Sequence, residues 1–300
     1  MSRLNQADWA GALPVVPEGD RVPRIIHQTF PDKTLPPALR VIVDALRDGN
    51  PGWEHRLYDD RDVAEFIGHA YGPAVLDLFN RLDPSYGAAR ADLFRYLLMY
   101  RMGGVYLDIK SGSHVPLDTV LRPGDRFLLS HWGDRDDGAR RHWGSHRELT
   151  ALPGGEFEQW YIACAPGHPF LRAVILRVLR NIECYEPLRH GVARKGVLRV
   201  TGPIAYSLAI APLLDRAPHR RWVNHGEDGL VYTMVDAADD MAHEAFFATH
   251  YSHLTRPIVR CGPVKTAAVE TLMRMKKTIK RWIGPLRRRL RPTSGPTPSR

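Results

Sequence analysis

Long apolar runs are missing from this chain. None of its 300 residues fall in a stretch of about 18 consecutive apolar positions, so no membrane-spanning helix is expected. Cysteine is scarce as well. Cys164, Cys184 and Cys261 are widely spaced and form no C-x-x-C pair, which indicates neither a disulfide framework nor a zinc site and fits a reducing compartment. The opening "MSRLNQADWAGALPVVPEGD" has no apolar core of the signal-peptide kind, so a cytoplasmic location is expected. No internal repeat is visible.

Acids are absent after Glu270, where Arg274, Lys276, Lys277, Lys280, Arg281, Arg287, Arg288, Arg289, Arg291 and Arg300 contribute ten positive charges. The whole chain carries +9, so the other 270 residues are close to neutral at −1. The basicity belongs to the tail, and a nucleic-acid-binding body is not expected. A content of 44% hydrophobic and 25% charged residues is that of an ordinary globular protein. Three parts are expected: a lead (1–22), a body (23–262) and a basic tail (263–300) whose end is disordered.

"RIIHQTF" (24–30) is a short β-branched run after Pro23 and reads as a first strand. "PPALRVIVDALRDGNPG" places Leu39, Ile42, Val43 and Leu46 on one helical face. "WEHRLYDD" alternates and reads as a second strand, and "DDRDVAEFIGHAY" as a helix with a favourable acidic start. "YGAARADLFRYLLMYRMGG" is the strongest helix, stopped by Gly103. "VYLDI" is the strand after it. "GEFEQWYIACAPGHPFLRAVILRVLRNI" reads as a strand and a helix from about Pro169. "VLRVTGPIAYSLAIAPLL" reads as a loop, a Gly-Pro turn and a helix, and "VYTMV" and "AFFATHYSH" as late strands. Alternating strands and helices at these spacings predict an α/β domain with a mostly parallel sheet, and ligands of such sheets bind at the strands' carboxyl ends.

That rule selects His27, Gln28 and Phe30 at one strand end and Asp108 and Lys110 at another. An acid flanked by apolar residues, as Asp108 is, needs a partner or a solvated turn. Asp92 and Arg95 lie three apart on the preceding helix and share a face, either as a surface ion pair or as part of a cleft. Tyr96 and Tyr100 widen that helix's apolar belt, which favours a cleft. "GDRDDGARRHWGSHRELT" (133–150) is a long polar insertion that reads as an acceptor loop or lid.

In order along the chain, "IIHQTF", "WEHRLYDD", "ARADLFRYLLMYRMGGVYLDIKSG", "APGHPFL" and "TGP" resemble the glycosyltransferases with a DXD sugar-binding region, the family that includes the yeast initiating α-1,6-mannosyltransferase. The likeness runs from Arg24 to Arg256, and its specific block is Ala89–Lys110. It implies a GT-A fold, a UDP- or GDP-linked sugar donor and retention of anomeric configuration. Phe30 stands where the family has an aromatic platform for the base, with ordinary core packing as the alternative. Arg90, Asp92 and Arg95 would face the donor, the last two holding its sugar hydroxyls. Tyr106 and Asp108 match the first half of the motif, the acid meeting ribose and sugar.

The chain departs from the family at Lys110, where the second acid, the direct ligand of Mn²⁺ or Mg²⁺, is replaced by an ammonium that cannot bind a metal. Either Lys110 neutralises the leaving diphosphate itself, or Asp108 and a late residue such as His250 hold a metal. His250 and His253 would close over the phosphates, with semi-buried structural histidines as the alternative. From "EFEQW", Gln159 and Trp160 are candidates to orient the acceptor, with a surface loop as the plainer reading. "LMRMKKTIKRWIGPLRRRL" predicts an amphipathic basic helix, kinked at Pro285, drawn through residues 272–291 to an anionic membrane. The expectation is a hexosyltransferase of surface polysaccharide or glycolipid synthesis. The alternatives are a relative that only binds nucleotide sugar, and a non-enzymatic adaptor acting through its basic tail.

Overall fold

The computed structural model describes residues 8–132, 143–222, 229–235 and 251–289, with side chains as far as Ile279. In chain order the elements are α1 (Trp9–Ala12), β1 (Ile25–Thr29), α2 (Pro37–Asp48), β2 (Glu54–Tyr58), α3 (Asp60–Asn80), α4 (Gly87–Met102), β3 (Gly104–Leu107), β4 (Gly112–Ser113), α5 (Leu117–Val120) and β5 (Leu128–Ser130). They continue with β6 (Tyr161–Cys164), α6 (Pro169–Glu183), α7 (Pro187–His190), α8 (Ala193–Val200), α9 (Pro203–Ile210), β7 (Arg220–Trp222), β8 (Leu230–Val231) and α10 (Pro263–Arg289). The α/β layering expected from the sequence is present.

The central sheet has the order β2-β1-β3-β6. β1 pairs in parallel with β2 and with β3, and β6 runs antiparallel to β3 with Leu107 opposite Tyr161. The carboxyl ends of β1 and β3 and the start of β6 therefore share one edge of the sheet. Asp108 N–H donates to Trp160 O at 2.8 Å, which continues the β3–β6 ladder to that edge.

Two glycines make the turn from α4 into β3. Gly103 and Gly104 have φ of 64° and 100°, a region that L side chains avoid. A Cβ on Gly104 would stand 2.6 Å from Ile25 O, and one on Gly103 2.7 Å from the Pro166 ring. Only glycine lets the helix drop its last turn against β1 and β6 here.

α4 is buried on every side. Leu93, Phe94, Tyr96, Leu97, Leu98 and Met99 are all fully enclosed, and Asp92 and Arg95 are enclosed with them. A helix covered all round by protein needs no polar face, in keeping with the wide apolar belt read from the sequence. Tyr96 stacks on Tyr206 of α9 at 5.6 Å, and the same core takes in α3 and α6.

Other expectations need correcting. "VLRV" is the end of α8 rather than a loop, because Val197 and Val200 face the core at helical spacing. "VYTMV" is a strand only as far as Val231, after which Met234 N–H caps Lys110 O at 2.8 Å. The described end of "AFFATHYSH" is a 3-10 turn over Tyr251–His253. α10 passes Pro285 without ending, since proline removes one backbone donor and the flanking turns remain. The lead is anchored rather than loose from residue 8 on: Leu13 is buried, Trp9 Nε1 donates to Glu183 at 3.1 Å, and Arg172 donates to Ala10 O at 2.8 Å. Ala193–Leu213 is long and apolar enough to cross a membrane, but it comprises α8, a turn and α9, and is mostly buried in the fold.

Candidate active site

A cleft of about 630 Å³ opens at the shared sheet edge. Topology sets the order of its parts. Phe30 follows β1, Asp108 and Lys110 follow β3, Gln159 and Trp160 precede β6, and Trp132 follows β5; all of them line the cleft.

Arg95 is the hub. Its Nη1 reaches Asp108 Oδ1 at 2.9 Å and donates to Gln159 O at 2.9 Å, while Nη2 reaches Asp92 Oδ1 at 3.2 Å. Nε donates to Ala91 O at 3.3 Å, and the guanidinium lies 4.8 Å over the Tyr106 ring. Burial alone would lower this group's pKa. The Asp108 and Asp92 carboxylates more than offset that, so Arg95 stays charged and above its ordinary value.

Asp92 faces inward. It is 3% exposed, and its oxygens accept from Gln159 Nε2 at 3.1 Å and from the Thr201 hydroxyl at 2.8 Å as well as from Arg95. Burial raises its carboxyl above the ordinary range, against the pull of Arg95, Thr201 and Gln159. Asp92 and Arg95 both line the cleft, and their hydrogen bonds within the protein hold Asp108 and Gln159 in place. Asp108 keeps 26% of its side chain exposed to the cleft, and the Tyr106 hydroxyl donates to it at 3.4 Å.

Lys110 is 5% exposed, and its ammonium sits 3.7 Å over the Tyr232 ring. Ser111 N–H donates to Asp108 O at 2.8 Å, and the Ser111 hydroxyl to Tyr232 O at 2.6 Å. The β3 turn and the segment after β8 thus fix Lys110 between them.

Phe30 is half-buried in the cleft wall, packed against the Leu39–Ile109 cluster. Arg90 also lines the cleft, 4.2 Å over the Phe79 ring. Trp160 donates its indole N–H to Glu158 at 3.1 Å, and its carbonyl accepts from Asp108 N–H.

Three of the expected donor residues lie outside the wall. His27 is buried behind β3. Its Nε2 lies 3.1 Å from Gly103 O, so Nε2 carries the proton and Nδ1 accepts from the Tyr58 hydroxyl at 3.0 Å. Burial pushes its pKa down to about 4. Gln28 is also buried; it donates to Asp108 O at 3.4 Å and accepts from His55 at 2.9 Å. His253 is exposed, and Tyr251 and Ser252 line the cleft in its stead. His250, like residues 133–142 of the polar insertion, lies outside the described residues.

Sequence reasoning did not name Thr201, Tyr232, Trp132, Trp143 or His146. Thr201 carried a signal as the first residue of "TGP", and Trp143 and His146 lie in the polar insertion (133–150) read as an acceptor loop or lid.

The profile described as "Glycosyltransferase sugar-binding region containing DXD motif" matches residues 36–128. Over those residues the chain is similar to the sugar-binding region of that glycosyltransferase family. Among curated relatives, inositol phosphoceramide mannosyltransferase 3 of Schizosaccharomyces pombe is 27% identical over 226 residues, 75% of this chain and 53% of that protein. The initiation-specific alpha-1,6-mannosyltransferase of the same yeast is 25% identical over 67% of this chain and 50% of its own length. The chain spans about half the length of these relatives. The UDP-bound glycosyltransferase domain of the YGT toxin superposes with a TM-score of 0.46 at 10% identity, covering 79% of this chain and 84% of that one. The sugar-binding region contributes Phe79-backed Arg90, Asp92, Arg95, Tyr106, Asp108 and Lys110 to the cleft. Gln159 and Trp160 come from beyond it, and buried Thr201 backs Asp92 from behind the wall.

A divalent cation does not suit the donor set present. The segment that resembles the family's motif reads Asp108-Ile109-Lys110. Asp108 is engaged by Arg95, an ammonium occupies the second position, and the described residues contain no cluster of three His, Cys, Asp or Glu side chains.

Proposed function

We propose that the chain is a GT-A glycosyltransferase that moves a hexose from a UDP- or GDP-linked donor to a hydroxyl of a glycan or glycolipid, with retention of configuration. The observation that carries this reading is the convergence of Asp92, Arg95, Tyr106 and Asp108 at one strand end, inside a matched sugar-binding region. The mannosyl transfer named in the relatives puts a mannose donor first.

Asp108 accepts hydrogen bonds from donor hydroxyls, and Arg95 fixes its position. Phe30 offers an aromatic face to the base. The bond from the anomeric carbon to the phosphate oxygen breaks as the acceptor hydroxyl attacks from the same side. The leaving diphosphate takes the acceptor's proton, so no separate general base is needed. Negative charge grows on that diphosphate, and the Lys110 ammonium stabilises it in a partly dehydrated site. No step in this scheme passes through a metal. Gln159 and Trp160 border the acceptor side.

The test is release of nucleoside diphosphate from a panel of UDP- and GDP-hexoses by the full chain, with and without Mn²⁺. Turnover of one donor is expected. No turnover and no nucleotide binding across the panel would end the proposal. Binding without turnover would select the donor-binding relative that has lost catalysis.

For α10 we propose contact with an anionic membrane surface, where a lipid-linked acceptor would be found. Met275 and Ile279 are exposed at 57% and 52%, among Arg274, Lys276 and Lys277, in a segment without acids. Such a helix lies in the interface between lipid and water.

A further inference from the structure

Beyond Lys110 the cleft ends in an aromatic corner. Trp132 and Trp143 meet at 4.9 Å and 83°, Trp132 and Tyr232 at 5.1 Å and 88°, Trp143 and Tyr232 at 5.9 Å and 89°. All three rings line the cleft, and Trp143 is only partly buried, so aromatic surface remains for a ligand to cover, while the Lys110 ammonium sits over Tyr232. A polar fringe borders it. Glu156 accepts from Trp132 Nε1 at 2.7 Å and pairs with His146 Nε2 at 2.6 Å, and both Glu156 and His146 line the cleft.

The corner is built in advance of any ligand. Glu156 N–H donates to Gly144 O at 3.0 Å, and a Cβ on Gly155 (φ 73°) would stand 2.5 Å from that same oxygen. The two strands of chain can close on each other only through glycine. Closure sets His146 against Glu156 and brings Trp143 to Trp132.

The geometry points to a second sugar-binding subsite here, holding the acceptor as a neutral pyranose. This rests on the transfer reading above. A pyranose has apolar C–H faces that cover aromatic rings and hydroxyl edges that bond to acids and imidazoles. An acid at the rim disfavours a phosphate, which separates this end of the cleft from the diphosphate at Lys110. The sheet-edge order then runs from Phe30 through Asp108 and Lys110 to Trp132. A donor lying from base to sugar along that edge points its reacting carbon at the corner.

The test titrates the full chain by calorimetry with methyl α-D-mannopyranoside, and separately with UDP and GDP, for the wild type, Trp143→Ala and His146→Ala. Thermal midpoints check that both variants fold. Saturable glycoside binding is expected in the wild type. In Trp143→Ala the glycoside Kd should rise about tenfold relative to the nucleotide Kd, with a smaller rise in the same direction in His146→Ala. No saturable glycoside binding by a wild type that turns over donor would overturn the subsite and leave the transfer reading standing. A Trp143→Ala defect confined to the nucleotide would also overturn it, by giving the corner to the base. Glycoside binding by a wild type that neither binds nor turns over nucleotide sugar would remove the transfer reading, and with it the acceptor role.

Discussion

Arg95 Nη1 stands 2.9 Å from Asp108 Oδ1, and this one contact ties the buried helix α4 to the exposed end of β3. The guanidinium reaches Asp92 and the Gln159 carbonyl from the same position. A lysine has one charge centre and no planar fork. Arg95→Lys is therefore expected to reduce donor turnover at least 100-fold while the chain still folds, as read from nucleoside diphosphate release and a thermal midpoint. Turnover within about threefold of wild type would show that Asp108 does not depend on this contact.

Lys110 stands where the family's motif has its second acid. Donor turnover by the wild type should change less than about twofold in EDTA, and Lys110→Ala should lose about 100- to 1,000-fold in kcat, the range for removing one fixed electrostatic stabiliser. Strict dependence on added Mn²⁺ would contradict this assignment.

Thr201 donates its hydroxyl to a carboxylate buried at 3% exposure. Thr201→Val keeps the shape and removes the donor, which should cost about 1–3 kcal/mol. The measurement is the urea midpoint at neutral pH. Part of the loss should be recovered in Thr201→Ser.

Acid should destabilise the fold through two histidines. Burial holds His27 and His168 neutral, each with its pKa pushed down to about 4, against about 6.5 in an unfolded chain. As pH falls through that window the unfolded chain takes up protons first. Stability that is full above about pH 6.5 is therefore lost progressively toward pH 4, by about 3 kcal/mol per histidine at roughly 1.4 kcal/mol per pH unit. Urea midpoints at about pH 7 and pH 5 should diverge, and the divergence should shrink in His27→Gln. An unchanged divergence would place the effect elsewhere.

Vesicle flotation tests α10. The full chain should float with vesicles containing phosphatidylserine and remain below with phosphatidylcholine alone. High salt should release it, since each basic residue near the surface contributes about 1 kcal/mol of screened attraction. A chain ending at residue 271 should not float. Equal partitioning of the two forms would end the membrane reading.

Periodicity and turn chemistry made the sheet-forming segments legible. The β1 run, the i, i+3 pair Asp92 and Arg95, and the glycine stop before β3 could all be read locally because neighbouring residues determine them. The partners of that pair could not. Thr201 reaches Asp92 from 109 positions away and Gln159 from 67, and no spacing rule crosses such distances. Proximity to a strand's carboxyl end selects His27 and Gln28 for the cleft. Their side chains turn instead to Tyr58, Gly103 and His55, a choice made by packing across the sheet.

The antiparallel course of β6 has a consequence for how such sites diversify. One wall of the cleft comes with the 36–128 segment, while another comes from later chain and meets the first at the sheet edge and through Gln159 and Thr201 at Asp92. On the transfer reading proposed above, substitutions at Trp143 and His146 should retune what is modified without disturbing the grip on what is delivered.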